Sequence, residues 1–415
     1  MLFSNWYNQE SKISMRKQLA ITAGVLLFLT IATLVVIFYG MGYRFGLDKG
    51  KPAFSGTGLL VATSSPDGAE VLINGHLTTA TNSTINLFPG EYDVKIYKEG
   101  YFPWEKKMKI QKEVVAKADA LLLPTTPALE GITSSGVEIV AIDPSFTKIA
   151  YTVASQSAKK NGIYVLDMSA KPILTLRSAS TQVADDTIDK FSKAKLSWSP
   201  DGRELLAEIP SSLTIEEENP TTYILSASAL NQNPKDVTAT LQSLMSEWEK
   251  DKAEKEKSRI DSFGNKLSKV IRDDFRILGW APDDTKILYQ ASRSADLPII
   301  VNPRLIGTNP TAEERNIKTD QIYVYDIKED KNYKLELGNT QNPALTWYPD
   351  SKHLIYVNDK KVNIMDYDGT NLTTIYAGPF IDSYVFPWPN GSKVVILTNL
   401  GNQGIPPNLY TIGLK

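Results

Sequence analysis

Residues 198–207 read WSPDGRELLA, and this stretch decides the fold. An apolar segment runs into Pro200 and the small polar residues after it, and a second apolar segment begins at Leu205. Proline fixes φ at the start of a tight turn, while Asp201 and Gly202 tolerate the remaining backbone angles. The stretch therefore predicts two strands joined by a tight turn.

The same pattern occurs five times in the second part of the chain. An apolar segment that predicts a third strand follows several copies, as at residues 162–167 and 321–326. The prolines of the five turns are separated by 56, 82, 67 and 40 residues, and they are Pro144, Pro200, Pro282, Pro349 and Pro389. The shortest interval matches one four-stranded propeller blade of about 40 residues, so the longer intervals predict insertions.

The repeats predict a β-propeller of about five blades at residues 124–415, and six blades is the alternative if one copy has diverged too far. The chain ends on a predicted third strand at residues 409–412, so the last blade lacks its outer partner. Residues 126–133 could supply that partner and close the ring, which would remove an exposed sheet edge. The motif at 198–202 and its relatives resemble the TolB-like and WD40-like propeller repeats, and this resemblance implies the same fold.

The interval between Pro200 and Pro282 carries the largest insertion. Residues 236–271 place apolar side chains on one helix face, and the segment 249–259 between them is almost entirely charged. The pattern predicts a helix, or a helical hairpin broken near Gly264, that projects from the propeller. Two interpretations stay open: a helix packed on the blade rim with a solvated middle, and an element that docks a partner.

A second β-rich region precedes the repeats. Between residues 58 and 123, alternating apolar segments are separated by turn signals such as Asn74-Gly75, which supplies the positive φ of a tight turn. The pattern predicts a compact sandwich of short strands, preceded by a spacer at residues 44–57 that is rich in glycine.

Residues 58–123 resemble the PEGA domain family. The Pro-x-Gly-Ala core of the family appears at residues 66–69, its later Pro-Gly turn at 89–90, and its Gly-Tyr step at 100–101. The middle stretch, residues 79–84, departs from the family because it lacks a Thr-Pro pair. The resemblance implies an extracytoplasmic binding or spacer module, and it brings no catalytic residue.

The N-terminal region contains a long uncharged segment at residues 19–43, LAITAGVLLFLTIATLVVIFYGMGY. As a helix it would span about 37 Å, which is enough for a bilayer core. Phe38 and Tyr39 lie at its far end, where aromatic rings favour the membrane interface. The segment exceeds the usual apolar core of a cleaved signal peptide, and no small-x-small site follows it. We therefore predict a single transmembrane helix that acts as an uncleaved signal anchor.

The orientation of this helix does not follow from the flanking charges, which are equal in number on the two sides. Long domains translocate largely regardless of charge, so we expect a cytoplasmic tail at residues 1–18 and the large domain outside. The predicted location is the cell membrane, crossed once, with the large domain extracytoplasmic.

Composition excludes several kinds of chemistry. The 415 residues contain no cysteine and only two histidines, His76 and His353. Disulfides, thiolate zinc sites, iron–sulfur clusters and cysteine nucleophiles are therefore excluded, and multi-histidine metal sites nearly so. With 45 Lys and Arg against 47 Asp and Glu, the chain has no electrostatic footprint for nucleic acid. It contains no phosphate-binding or dinucleotide-binding loop, so no cofactor is predicted.

One segment, residues 366–371 (DYDGTN), resembles half of a calcium loop with oxygen ligands at alternate positions, and its candidate metal ligands are Asp366, Asp368 and Asn371. The distal Glu of such a loop is missing, and simple turn geometry is the other interpretation. His353 occupies the repeat turn, where other copies have lysine or glutamate, so it is predicted to be a surface turn residue.

Two further sets of residues recur at fixed positions of the repeat. The aspartates are predicted to cap their own turns rather than to form a carboxylate pair, and they are Asp201, Asp283 and Asp350. The tryptophans are predicted to pack between blades rather than to form a ligand platform, and they are Trp198, Trp280 and Trp347.

These observations favour a membrane-anchored, extracytoplasmic binding or scaffold protein, in which a PEGA-like module and a propeller recognise a cell-envelope protein or glycan. No catalytic or cofactor-binding residue is predicted, and the ligand-binding residues are unknown. The alternative is a propeller-based hydrolase or glycan-active enzyme, with acidic residues from different blades in its channel. A third interpretation is a sensor or assembly subunit, although the short tail argues against an intrinsic signalling domain.

Overall fold

The structure is a computed structural model, and it describes residues 15–40, 43–48, 51–169, 180–210, 220–338 and 344–415. Residues 1–14 of the predicted cytoplasmic tail therefore lie outside the described residues. The described chain is mainly β, with an apolar helix near its N-terminus and two further α-helices inside the repeat region.

The N-terminal helix α1 runs from Met15 to Gly40. Within the described residues it is the one helix that is long and apolar enough to cross a membrane, over Lys17–Gly40. Its apolar side chains are exposed, as both a transmembrane anchor and a signal sequence would require. The helix ends before the predicted boundary, because Tyr43 already begins a strand.

The strands before the repeats are β1 Tyr43–Asp48, β2 Lys51–Gly56, β3 Gly58–Ser65, β4 Glu70–Ile73, β5 His76–Ala80, β6 Ser83–Leu87, β7 Gly90–Tyr97, β8 Trp104–Ile110 and β9 Val115–Leu121. The strands of the repeat region are β10 Leu129–Gly131, β11 Val140–Ile142, β12 Lys148–Val153, β13 Gly162–Asp167, β14 Ser180–Asp185, β15 Lys195–Trp198, β16 Glu204–Ile209, β17 Thr221–Ser226, β18 Lys235–Asp236, β19 Phe275–Trp280, β20 Lys286–Ala291, β21 Ala295–Asp296, β22 Asn316–Ile317, β23 Ile322–Asp326, β24 Lys331–Lys334, β25 Ala344–Trp347, β26 His353–Asn358, β27 Lys361–Asp366, β28 Thr373–Ala377, β29 Val385–Pro387, β30 Lys393–Thr398 and β31 Asn408–Gly413.

The segment predicted to be a spacer, residues 44–57, instead carries a two-stranded hairpin. β1 pairs with β2 in antiparallel fashion, with Tyr43 opposite Gly56. Pro52 lies opposite Leu47 in this hairpin. Proline has no backbone N–H to donate, and it is tolerated here because both strands of a two-stranded sheet are edge strands. The prediction of a spacer, which rested on glycine and proline content alone, is therefore wrong, because the chain forms a hairpin here.

Strands β3 to β9 form the small β-domain, a sandwich of two sheets as predicted. One sheet has the order β6-β3-β9 and the other has the order β5-β4-β7-β8. Side chains from both sheets, such as Leu60 and Ile96, share one buried core. β5 and β6 were not predicted. β5 is mostly exposed, and β6 alternates over only five residues, with Ile85 and Leu87 half-buried between exposed polar residues. Asn74 and Gly75 have the positive φ that their turn was predicted to need.

Among its described residues, the repeat region contains five four-stranded antiparallel sheets, which we call the first to fifth repeat sheets. In chain order they are β11-β12-β13-β14, β15-β16-β17-β18, β19-β20-β23-β24, β25-β26-β27-β28 and β29-β30-β31-β10. The fifth sheet unites the two ends of the region, because Leu129 of β10 lies opposite Ile412 of β31. The outer strand predicted within residues 126–133 is therefore present at this position.

Neighbouring repeat sheets pack face to face through shared apolar cores. Such cores join the first sheet to the second, the fifth sheet to the first, the third sheet to the fourth, and the fourth sheet to the fifth. Between the second and third sheets lie helices α2, Leu241–Asp261, and α3, Asn265–Asp274. Trp248 of α2 packs on the second sheet, while Ile260 and α3 pack on the third.

The repeated tryptophans show how α2 fits between these two sheets. The indole nitrogen of Trp198 donates to the carbonyl of Ala141 in the preceding sheet at 3.0 Å, and that of Trp347 donates to Gly279 at 3.2 Å. The indole nitrogen of Trp280 donates instead to the Glu256 carboxylate of α2, at 3.0 Å. The helix thus takes the place of a neighbouring sheet at this one position. The prediction of packing between sheets is confirmed for Trp198 and Trp347.

The sequence predicted either one helix or a helical hairpin broken near Gly264. The structure has two helices, and the break lies at the predicted place, since Gly264 directly precedes α3. The two ends of the pair are buried, whereas the charged middle of α2 is exposed. The insertion therefore lies against the sheets at both ends and presents a solvated charged surface between them.

Candidate functional site

The candidate metal segment lies where the small β-domain meets the fourth repeat sheet. Asp366 ends β27, and the turn after it faces β8 of the small domain. Six side chains from both domains meet at this junction, and we call them the interdomain cluster: Trp104, Lys106, Asp350, His353, Asp366 and Asp368.

Asp368 is the most enclosed carboxylate of the cluster, and its side chain is fully buried. Its Oδ2 accepts hydrogen bonds from Lys106 Nζ, from Asn309 Nδ2 at 2.7 Å and from Thr311 Oγ1 at 2.6 Å. Its Oδ1 accepts a hydrogen bond from Thr370 Oγ1 at 2.7 Å. Burial acts to raise the pKa of this carboxyl, but the Lys106 charge and these donors outweigh burial and hold the pKa at about 2.

Asp366 joins both domains through its two oxygens. Its Oδ2 accepts hydrogen bonds from Trp104 Nε1 at 3.1 Å and from Asn371 Nδ2 at 3.0 Å, and Lys106 Nζ lies 3.8 Å from it. Its Oδ1 lies 3.3 Å from His353 Nε2. The carboxylate is thus surrounded by donors, of which two belong to the small domain.

His353 does not lie on the surface, so the sequence prediction for this residue is wrong. It is 5% exposed, and its Nδ1 lies 2.7 Å from Asp350 Oδ2 while its Nε2 faces Asp366. Burial acts to lower the pKa of the imidazole, but the hydrogen bonds to Asp350 and Asp366 outweigh burial and raise the pKa to about 9. The repeat pattern could not reveal this, because the small domain contributes to the surroundings of the turn.

The three residues of the candidate metal site are brought together, but their oxygens serve hydrogen bonds within the chain. Asn371 Oδ1 accepts from the backbone nitrogen of Glu105 at 3.0 Å, and the two carboxylates face Lys106 and His353. The ammonium and the imidazolium supply the positive charge that a cation would supply to such a loop. Among the described residues, no group of three or more His, Asp and Glu side chains could hold a metal ion.

The repeated aspartates cap their own turns, as predicted. The Oδ1 atom of Asp201 accepts from the backbone nitrogen of Arg203 at 3.1 Å, and that of Asp283 accepts from the backbone nitrogen of Thr285 at 3.0 Å. Asp350 caps its turn in the same way through the backbone nitrogen of Lys352, at 2.8 Å, and in addition faces His353.

Sequence reasoning missed a second pair of acids, Asp326 and Glu329, in the turn between β23 and β24. Burial raises the pKa of both carboxyls above their ordinary values. Asp326 Oδ1 accepts from the backbone nitrogen of Glu329 at 2.8 Å, and Lys286 Nζ lies 3.8 Å from Asp326. The backbone nitrogen of Asn309, in the loop between β21 and β22, donates to Glu329 Oε2 at 3.0 Å, so no motif local to Glu329 marks this acid.

One family model matches the small β-domain. Residues 57–125 match the PEGA domain. This range contains all of β3 to β9, so the PEGA domain is the small sandwich whose β8 carries Trp104 and Lys106. No curated protein matches the sequence.

Three solved structures are distantly similar to this chain. TolB from Agrobacterium tumefaciens is 14% identical over 66% of this chain and 77% of its own, with a TM-score of 0.23. TolB from Acinetobacter baumannii is 17% identical over 78% of this chain and 60% of its own, with a TM-score of 0.24. Hydrazine synthase from Kuenenia stuttgartiensis is 14% identical over 89% of this chain and 99% of its own, with a TM-score of 0.20. Superpositions at this level carry no argument about fold or function.

The PEGA domain is also joined to the repeat sheets by apolar packing. Leu121 and Leu123, at the end of the domain, pack with Phe102 into the core shared by the fourth and fifth repeat sheets. Together with the interdomain cluster, this packing gives the junction both a buried apolar part and a buried charged part. Such a junction holds two domains in one fixed orientation, whereas a polar contact alone would permit relative motion.

A cleft of about 310 Å³ opens beside the cluster, between the PEGA domain and the fourth and fifth repeat sheets. Its lining includes Asp119, Asp350, Lys352, His353 and Asn390. The charges in it are mixed in sign, and Lys352 pairs with Asp119 across the two domains. Both ring nitrogens of His353 face carboxylates, and its raised pKa favours the protonated imidazole at neutral pH, an arrangement that disfavours a role as general base.

Replacing Trp104 by Phe should remove the hydrogen bond from its indole nitrogen to Asp366 while keeping an aromatic ring in the core. Hydrogen bonds to charged groups contribute about 2 kcal/mol, so we expect the free energy of unfolding to fall by about that amount. Urea unfolding of the full chain in mild detergent, followed by circular dichroism, measures this change.

Trp248→Phe is the matched control for this change. Trp248 is similarly buried, and in the described part of the chain no group accepts a hydrogen bond from its indole nitrogen. We expect Trp248→Phe to lower the free energy of unfolding by less than Trp104→Phe does. Equal losses in the two variants would show that ring volume, and not the bond to Asp366, accounts for the effect.

Proposed function

We propose that the protein is a membrane-anchored, extracytoplasmic binding or scaffold protein. Helix α1 anchors it in the cell membrane as a single span, the PEGA domain stands next to the membrane, and the five repeat sheets form a closed five-bladed propeller. The pairing of β10 with β31 supports closure, and the position of α2 and α3 between the second and third sheets supports a ring of five blades. The propeller recognises a cell-envelope protein or glycan.

The observation that carries this proposal is the interdomain cluster. Lys106 and Trp104 of the PEGA domain make buried polar contacts to Asp366 and Asp368 of the fourth sheet, so the two domains move as one body. A rigid body on a membrane anchor presents a binding surface at a fixed distance from the bilayer. This is what a scaffold requires, and chemical turnover does not require it.

The first strand of each repeat sheet bears on the choice between binding and catalysis. In a closed propeller these strands line the central channel. They are β11, β15, β19, β25 and β29, and none of their residues is Asp or Glu. This composition favours a binding platform over an enzyme that would need acids on these strands.

The proposal is tested by finding what the full chain binds. Cells expressing tagged full-length chain are cross-linked, and the chain is purified from detergent extracts for identification of bound proteins and glycans. We expect enrichment of envelope components over an unrelated single-span protein expressed at the same level. Equal recovery from the two proteins would contradict the binding role.

Location is tested separately by adding protease to intact cells. The ectodomain should be digested from outside, once the outer layers are permeable, while a cytoplasmic marker stays intact. Protection of the ectodomain until the cells are lysed would place it in the cytoplasm and would overturn the proposed orientation.

The exposed middle of α2 is the element we propose for docking a protein partner. Lys250, Lys252 and Lys255 are exposed there, away from both sheets. Replacing all three by Glu should abolish capture of a partner that docks on this helix and leave the fold intact. The control replaces the exposed Lys107 and Lys109 of β8 by Glu, which changes the charge on the PEGA domain instead. If the α2 variant captures as much partner as the native chain, docking lies elsewhere.

A hydrolase or glycan-active enzyme is the second candidate function, and one observation favours it. Acids whose pKa values are raised by burial are typical of catalytic sites, and the buried Asp326 and the half-buried Glu329 both have raised pKa values. If they are catalytic, Glu329→Gln should abolish turnover of envelope glycans by the purified full chain without changing its thermal stability. Equal turnover by the native chain and this variant would exclude the pair from catalysis.

A further inference from the structure

A loop of the third repeat sheet carries exposed apolar side chains close to the membrane end of the PEGA domain. In this loop, which connects β21 to β22, Leu305 is 47% exposed and Ile306 is 70% exposed. Ile299 of the same loop is 53% exposed. Leu305 and Ile306 are neighbours in the chain and both are exposed, so the loop presents two adjacent apolar side chains at this point.

This loop is attached to one particular turn of the PEGA domain, the turn between β8 and β9 at residues 111–114. The backbone nitrogen of Gly307 donates to Gln111 Oε1 at 3.3 Å. Gly307 also lies so close to Val114 and Val115 that a Cβ at this position would be 2.6 Å from Val114 Cγ1. Ile306 directly precedes Gly307 and therefore lies beside this turn. Val115, which is itself 43% exposed, also lies there.

The same turn holds the end of the membrane helix. Tyr43 follows the last residue of α1 by three positions, so their Cα atoms are at most about 11 Å apart. Its hydroxyl donates to Glu113 Oε1 at 3.1 Å, and Lys112 Nζ lies 4.9 Å from the centre of its ring. The Phe38 ring of α1 packs edge-on against the Tyr43 ring, with centroids 5.2 Å apart. The β8–β9 turn thus contacts Tyr43, which packs on Phe38 of α1, and it also contacts the β21–β22 loop at Gly307.

We infer that Leu305 and Ile306 insert into the outer interfacial layer of the membrane in which α1 is anchored. This inference rests on the proposed function, because it requires α1 to span that membrane. The contacts favour the bilayer as the partner of this loop. Tyr43, where the chain leaves the membrane helix, and Gly307 of the apolar loop both contact the β8–β9 turn.

The consequence is a second membrane contact that belongs to the repeat region. One helix alone allows the ectodomain to rotate and tilt about its exit point. A second contact fixes its tilt, because the PEGA domain and the fourth sheet are already joined by the interdomain cluster. Burial of two aliphatic side chains in the interface is favourable by the same transfer free energy that drives interfacial peptides into lipid.

The chain contains no cysteine, so single cysteines report unambiguously on chosen positions. Ile306→Cys is labelled with an environment-sensitive fluorophore in the full chain, which is reconstituted into vesicles of zwitterionic and anionic phospholipid. Lipids with nitroxide quenchers near the headgroup provide the readout. We expect a blue-shifted emission and a loss of emission when the quencher lipid is present. Leu305→Cys provides a second reporter in the same loop.

Two control positions separate the possible outcomes. Ile188→Cys lies in a different connection of the repeat region with 53% exposure, and it should give water-like emission without quenching. Leu34→Cys lies within α1, and deep acyl-chain quenchers should quench it if the helix spans the bilayer.

Quenching at 34 with water-like emission at both 305 and 306 would overturn the inference and leave the anchor intact. Absence of quenching at 34 would overturn the anchor itself, and the inference with it. Quenching at 34, 305 and 306, with none at 188, is the result we expect.

Discussion

Asp368→Ala should lower the free energy of unfolding by about 3–5 kcal/mol, which is the usual cost of removing one partner of a buried ion pair. The change leaves Lys106 with 11% of its side chain exposed and without its nearest counter-charge. It also removes the acceptor of hydrogen bonds from Asn309, Thr311 and Thr370. The cost combines an uncompensated charge with unsatisfied donors at one buried position.

The matched control is a second ion pair across the same junction. Lys352 and Asp119 join the fourth repeat sheet to the PEGA domain, but their side chains are 53% and 43% exposed. Exposed pairs contribute about 0–1 kcal/mol, so Lys352→Ala should change the free energy of unfolding by no more than that. Urea unfolding of both variants in mild detergent measures the difference. If the two variants lower the free energy of unfolding by similar amounts, the buried ion pair of Asp368 is not what stabilises the junction between the two domains.

The second large effect concerns pH, and it comes from His353. The pKa of this imidazole is about 9 in the folded chain against an ordinary value of 6.5. The raised pKa therefore stabilises the fold fully below about pH 6.5, where the group is charged in both states, and the contribution disappears as the pH rises through 9. The difference of pKa corresponds to about 3 kcal/mol. We expect the native chain to lose about that amount between pH 6.5 and pH 9.5.

His353→Gln tests this pH dependence, because glutamine does not titrate. The variant should be less stable than the native chain at pH 6.5, and the two should approach each other near pH 9.5. The measured quantity is the difference between their free energies of unfolding at each pH, so lysines and tyrosines that titrate in both chains cancel. A difference that stays constant over this range would show that His353 does not carry the charge that its two carboxylates imply.

The repeated Pro-Asp turns made much of the architecture predictable. Their chemistry is local: proline and a capping carboxylate determine each turn, and the apolar residues on both sides determine the strands. The outer strand of the fifth sheet was also predictable, since the final strand needed a partner. By contrast, β5 is mostly exposed, β6 alternates over only five residues without a fully buried side chain, and the β1–β2 hairpin has the glycine and proline content of a linker.

The candidate site was predictable only in part, because its chemistry comes from two domains. Asp366, Asp368 and Asn371 were recognisable as a cluster of oxygens, but the residues that neutralise them lie elsewhere. Lys106 and Trp104 are about 260 positions earlier in the chain, and nothing local to His353 shows that it is buried. Long-range contacts of this kind depend on how the PEGA domain docks on the fourth sheet, which no repeat pattern encodes.

The pairing of β10 with β31 has a consequence for the order of folding. Thr411 Oγ1 donates to the carbonyl of Glu130, and these residues are 281 positions apart. The fifth sheet cannot be completed until residues 408–413 have been synthesised, whereas each of the four other sheets can form from a continuous segment. During synthesis β10 remains without its neighbour, and β12 to β14 can pair before it. Closing contacts with the largest sequence separation also form most slowly. Completion of the fifth sheet is thus expected to be the last step, and the edges left open until then are where chaperones or proteases would act on a chain interrupted before its end.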